Sequence, residues 1–184
     1  MSFVRLVGCL ALMIGSAGPA SADRLKTEMT GFENRSEWTM FQSFKNDFCT
    51  ATSHYVKNTD LLLLWYPRTD LMIVIVNDPV LESIKEGTKY DVEILFKKPS
   101  GIDSGWGVRK ATGSTNPDKV PGFTLYLNGK EALTDFATAT GVSFWYKDKL
   151  VDSLNLTGSS LMVAELRRCS AEIVKNHPID PFED

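Results

Sequence analysis

Histidine is the side chain most often recruited as a general base, because its pKa lies near neutrality. The chain has two, His54 and His177. His54 sits in a strand-like stretch beside Tyr55, five residues after Cys49, and His177 precedes Pro178 close to the end. Neither adjoins a serine or cysteine in a nucleophile motif, so both are read as structural and no catalytic residue is assigned. Asp103-Ser104-Gly105 has the composition of the aspartic-protease turn, in which two carboxylates share a proton because both cannot ionise at close range. One chain supplies a single copy, and Pro99-Ser100-Gly101 stands where a hydrophobic strand should lead in. Trp106 then follows where a small residue is usual, so the motif reads as a turn. Metal binding needs several His, Cys or carboxylate ligands converging on one point. No Cys-x-x-Cys or His-x-His occurs, and Asp180, Glu183 and Asp184 form a solvated acidic end. Neither a metal nor another cofactor is expected.

What the cysteines can do depends on compartment. The N-terminus reads Met1-Ser-Phe-Val-Arg5, then an apolar run from Leu6 to Ile14, then small and polar residues ending Ala20-Ser21-Ala22. One positive charge, a short apolar core and a small-x-small ending make residues 1–22 a signal peptide, cleaved between Ala22 and Asp23. The apolar run is well short of the ~20 residues that span a bilayer. Leu6-Val7-Gly8-Cys9 mimics a lipoprotein cleavage box, but five residues cannot hold both a charged start and an apolar core. Export to the periplasm or beyond, as a soluble protein, is therefore expected. Cys9 leaves with the signal, and Cys49 and Cys169 remain to pair in an oxidising compartment.

Cleavage leaves 162 of the 184 residues, enough for one domain with a substantial core. Arg5 is removed from the 20 basic residues and nothing from the 23 acidic ones, so the mature charge is −4. An acidic chain without a basic cluster excludes nucleic acid as the expected partner.

Two surfaces present themselves for binding. The segment 99–121 is rich in Gly, Ser, Pro and Asp and reads as a long loop, interrupted at most by a strand from Trp106 to Ala111. Long loops in compact domains often carry function. This one offers Ser104, Trp106, Arg109 and Lys110, and Trp with Arg is what protein interfaces favour. The opposing reading has Trp106 anchoring the loop to the core. The second surface is a hairpin of two continuous apolar runs, Leu61 to Tyr66 and Leu71 to Val76, joined by Pro67-Arg68-Thr69-Asp70. Such runs belong to strands covered on both faces. One face meets the core; the other meets the last helix or a second protomer in a homodimer, and the helix is the expected cover.

The framework follows from periodicity. Residues 23–37 form a polar arm, and a single β-rich domain spans 38–175. Trp38 to Phe44 and Phe48 to Val56 read as strands, and Val80 to Glu86 is ambiguous. Tyr90, Val92, Ile94 and Phe96 alternate with Asp91, Glu93, Leu95 and Lys97, the mark of a half-buried strand. Phe123 to Leu127, Val142 to Tyr146 and Leu150 to Leu156 add strands, and Glu131 to Thr140 a short helix. A final helix from about Ser160 to Val174 puts Met162, Leu166, Cys169 and Ile173 on one stripe, with Gly158-Ser159-Ser160 supplying capping hydroxyls. Residues 176–184 are a tail. Similar element order in 60–97 and 122–156 hints at duplication. The fold class is α+β, mainly antiparallel β, as a sandwich or open barrel with the C-terminal helix packed on the sheet.

The ending Leu154-Asn155-Leu156-Thr157-Gly158-Ser159-Ser160, the helix carrying Leu166 and Cys169, and Ile84-Lys85-Glu86-Gly87 ahead of Tyr90-Asp91-Val92 resemble small secreted proteins of alphaproteobacteria. The nearest group is the invasion-associated locus B family. That resemblance implies a periplasmic or surface β-rich domain without enzymatic activity, concerned with envelope or host contact; it carries over no functional residue. The expected function is a non-enzymatic module that binds a protein or a cell-envelope component. One concrete form is a loop from Ser100 to Arg109 inserted into the cleft of a lysozyme-type hydrolase. The alternative is a carrier holding a small apolar ligand between sheet and helix.

Overall fold

In a computed structural model of the chain, residues 37–43, 47–100 and 104–176 are described. The expected signal peptide, nearly all of the expected polar arm and tail, His177 and Asp103 lie outside them. Nine strands form one sheet: β1 (Glu37–Ser43), β2 (Phe48–His54), β3 (Asp60–Tyr66), β4 (Leu71–Asn77), β5 (Lys89–Lys97), β6 (Ser104–Thr115), β7 (Pro121–Asn128), β8 (Gly141–Tyr146) and β9 (Lys149–Asn155). The helices are α1 (Gly129–Thr138) and α2 (Ser159–Asn176). No described helix is long and apolar enough to cross a membrane.

Alternation decides which face each strand buries. In β5, Val92, Ile94 and Phe96 point into the core while Asp91, Glu93 and Leu95 point out. Every neighbouring pair is antiparallel, in the order β1-β2-β3-β4-β7-β6-β5-β8-β9, and the sheet curls into a half-barrel around the core. This is the open-barrel form of the α+β fold. Right-handed strand twist accumulates from strand to strand and, with the curl of the sheet, brings the last strand over the first ones. Accordingly β9 passes over the ends of β2 and β4: Tyr55, just after β2, donates its hydroxyl to the Asn155 carbonyl at 2.8 Å, and Asp78, just after β4, lies beside Asp152.

Two crossovers seal opposite ends of the barrel. β4 leads through a short 3₁₀ turn, Pro79–Leu81, to β5, skipping β7 and β6; β7 leads through α1 to β8, skipping β6 and β5. Both crossovers advance three places in the sheet, from β4 to β5 and from β7 to β8, but the hairpins that precede them, β3-β4 and β6-β7, step in opposite directions. The ambiguous Val80–Glu86 segment belongs to the first crossover. Asn128 starts α1 two residues early by accepting the Glu131 amide at 3.0 Å.

α2 lies inside the curl against β1, β2 and α1. Its buried stripe of Met162, Val163, Leu166, Cys169 and Ile173 includes the four residues expected from periodicity. Arg168, on the solvent side, bridges Glu165 at 2.7 Å and Glu172 at 2.9 Å. The Ser159 hydroxyl, expected to cap its own helix, instead donates to the Phe136 carbonyl at 2.5 Å and joins α2 to α1. Cys49 and Cys169 are disulfide-bonded, tying β2 to α2.

The helix expected over the second face of the Leu61–Val76 hairpin is on the other side. Leu61, Leu63 and Trp65 point into the core that α2 helps fill. Leu62, Leu64, Ile73 and Ile75 form the outer face and are half-buried, while α2 packs against β1, β2 and α1 on the inner side.

Candidate functional site

The proposed loop of 99–121 is largely a strand: β6 runs from Ser104 to Thr115, paired on both sides. Its glycines misled the reading for a physical reason. Gly107 adopts φ +61° at a β-bulge, where Ile94 faces Gly107 and Leu95 faces Gly105, leaving Trp106 as the extra residue. The bulge turns Trp106 into the core, 8% exposed, against Phe96 and Phe136 at 4.6 and 6.2 Å between ring centres. Its indole N–H donates to Asp135 at 2.7 Å, and Lys98 pairs with the other Asp135 oxygen at 2.9 Å. Trp106 is thus an anchor and not an exposed contact.

The four expected site residues do not share one surface. The Ser104 hydroxyl is buried without a hydrogen-bond partner. Lys110 is exposed and paired with Asp91 at 2.5 Å. Arg109 is exposed and lines, with Trp106, Tyr126 and Glu131, a cavity of about 330 Å³ where β6 meets the end of β7 and the start of α1. The first amides of α1 are already engaged there, Gly129 and Lys130 by Asp70 and Glu131 by Asn128. The helix start therefore has no free donors for an anion.

The better-formed surface lies on the outer face of the same half of the sheet. Register aligns Val108 of β6, Glu93 of β5, Trp145 of β8 and Leu150 of β9 in one cross-strand row. Val108 is 59% and Leu150 52% exposed, and Trp145 is half-buried with its indole N–H on the Ser143 hydroxyl at 3.1 Å. Lys89, Asp91, Lys147 and Asp148 rim the row, and a groove of about 430 Å³ runs along it. Sequence reading gave Glu93, Trp145 and Leu150 to strands and Val108 to a loop interrupted at most by a strand; only the register, unknown beforehand, brings them together.

A second arrangement that sequence reading missed is a carboxyl pair. Asp78 is buried and doubly held, accepting from the Thr59 hydroxyl at 2.7 Å and the Val80 amide at 2.9 Å. Asp152 accepts the Ser153 amide at 2.7 Å with one oxygen; the other is buried with no donor in reach and faces Asp78. Two carboxyl groups bond each other only when one carries a proton. Burial, then the neighbouring Asp78 carboxylate, push Asp152 up to about 6 against the opposing Ser153 amide and Lys57. Both Asp78 oxygens are occupied and enclosed, so the pair clamps β9 to the corner after β4 and is closed to substrate.

The pH dependence has a definite sign. A raised acid pKa means that the folded state binds more protons, so stability falls as pH climbs from about 4 through about 6. A shift of about two units is worth about 3 kcal/mol at full strength, reduced to roughly 1 kcal/mol for a side chain in partial contact with water. Asp152→Asn removes the charge and can donate to Asp78. Urea midpoints should rise for the variant at pH 7.5 and match wild type at pH 4; equal gains at both values would contradict the shared proton.

His54 is exposed on β2, bonded to Asp60 across the strand pair at 2.5 Å. No group of three or more His, Cys, Asp or Glu side chains able to hold a metal occurs among the described residues. An apolar space between the sheet and the first crossover, lined by Leu81, Ile84, Tyr90, Phe123, Tyr146 and Val151, is about 110 Å³. The chain matches no protein-family model, no curated protein and no solved structure.

Proposed function

We propose that the protein is an exported, non-enzymatic binding module that takes a protein or cell-envelope component on the outer face of β5, β6, β8 and β9. The observation that carries this reading is the Val108–Glu93–Trp145–Leu150 row, in which Val108, Trp145 and Leu150 accompany a single carboxylate, Glu93, inside a charged rim. That is the anatomy of a protein interface, in which a large aromatic side chain supplies most of the affinity and the rim excludes water. A disulfide between the last two cysteines supports an oxidising compartment. Envelope or host contact is also what the family resemblance implies.

A loop reaching into a lysozyme-type cleft has less support, because Ser104 to Arg109 are held in β6. The carrier of an apolar ligand has less support too: ligand sites of about 300–1,000 Å³ are usual, and the apolar space under the first crossover is about 110 Å³.

Capture from envelope extract of the native host tests the reading. Truncating a central tryptophan costs about 2 kcal/mol or more of binding, roughly 30-fold. Trp145→Ala and Val108→Asp should each recover at least 10-fold less partner than wild type, with unchanged far-ultraviolet circular dichroism. Equal recovery by all three proteins would refute the assignment.

A further inference from the structure

The other half of the outer face carries its own signal. One cross-strand row reads Phe41, Thr50, Leu64, Ile73 and Tyr126 over β1, β2, β3, β4 and β7. The next reads Thr39, Thr52, Leu62, Ile75 and Thr124 over the same strands. Neither row contains a charge, and Phe41 and Tyr126 are each 58% exposed. Continuous apolar strands are normally covered on both faces, and an exposed uncharged patch of this kind marks an interface.

Both rows are quasi-symmetric about β3. The first runs aromatic, Thr, Leu, Ile, aromatic; the second runs Thr, Thr, Leu, Ile, Thr. Thr and Ile share a β-branched shape, so the pattern reads nearly the same from either side of Leu64 and Leu62. A two-fold axis lying in the interface along β3 exchanges left with right. It sets Phe41 of each copy against Tyr126 of the other, and the leucines of the two central strands against each other. Such isologous contacts require a surface complementary to itself, and two sheets of equal twist pack face to face at about 30°.

We propose that the outer face of β1, β2, β3, β4 and β7 binds a second copy of this chain, with Phe41 of each copy packed on Tyr126 of the other. Strand spacing of about 4.8 Å and a rise of about 3.3 Å per residue make the face roughly 24 by 17 Å. The dimer then buries on the order of 800 Å², less than the roughly 1,200 Å² of standard interfaces, so it is weak and concentration-dependent. It leaves the Trp145 groove free, so it stands or falls independently of the binding function proposed above.

Sedimentation velocity on the disulfide-bonded mature chain, from 1 to 200 μM, tests the pairing. Wild type should shift from monomer to dimer across that range. F41K and Y126E, both at exposed positions, should each remain monomeric while keeping the wild-type melting temperature. The double variant F41K/Y126E places opposite charges across both contacts and should regain dimer, more at low salt than at high salt. A wild type that stays monomeric throughout overturns the proposal, including when F41K loses an envelope partner, which would give the face to that partner. So does a dimer that survives either single substitution, or a double variant that associates no better than the singles.

Discussion

Reducing the Cys49–Cys169 bond lowers the melting temperature of the domain by on the order of 10 to 20 °C. The two residues are 120 apart, so the bond closes a ring containing most of the folded domain. In the chain-entropy model a ring of that length removes roughly 5 kcal/mol of freedom from the unfolded chain. Each kcal/mol moves the melting temperature of a domain of this size by about 2–4 °C. The location adds to the effect. Cys49 is fully buried in β2, and α2 reaches the sheet mainly through β1 and β2. Without the bond, the helix that fills the curl is held by packing and by the Ser159 hydrogen bond to α1. Scanning calorimetry with and without reductant measures the difference. C49A/C169A should melt where the reduced wild type does and show no response to reductant. A wild type whose transition is unmoved by full reduction, confirmed by two thiols titrating per chain, would show that the bond contributes nothing to the fold.

The disulfide was readable because the expected signal cleavage would leave two cysteines, and the half-buried strands were readable because pleating puts every second side chain on the same face. Val92, Ile94 and Phe96 are buried as their alternation requires, and Met162, Leu166, Cys169 and Ile173 as the helical repeat requires. What stayed hidden depends on how strands meet. Gly105, Gly107 and Gly113 look like a loop in isolation. In the sheet Gly107 supplies the bulge, and a Cβ at Gly105 or Gly113 would collide with the Ile94 or Lys85 carbonyl. Asp78 and Asp152 carry no mutual signal, since their contact exists only because the sheet twists far enough to lay β9 across the ends of β2 and β4. The Val108–Glu93–Trp145–Leu150 row is likewise a product of register. The hairpin's second face was expected to take α2 as its cover, but α2 packs on the inner side, where Cys169 meets Cys49.

Trp106 shows how a surface reading and a core reading of one residue part company in measurement. Trp106→Ala should cost about 3–5 kcal/mol of stability, the range for truncating a large buried aromatic side chain. The indole fills the space between Phe96 and Phe136 and holds one oxygen of Asp135. Its removal opens a cavity and leaves that oxygen dependent on water, while Lys98 keeps the other. Trp106→Phe restores most of the packing and loses the hydrogen bond, so its cost should be nearer 1–2 kcal/mol. Denaturant midpoints for the two variants give the ordering directly. Binding gives the converse. Well below its melting temperature, Trp106→Ala should still recover partner from envelope extract at wild-type level, whereas Trp145→Ala should not, although it unfolds at nearly the wild-type midpoint. An alanine at 106 that melts like wild type and yet loses the partner would move the binding surface back to β6 and its flanking cavity, and would require Trp106 to leave the core when a partner binds.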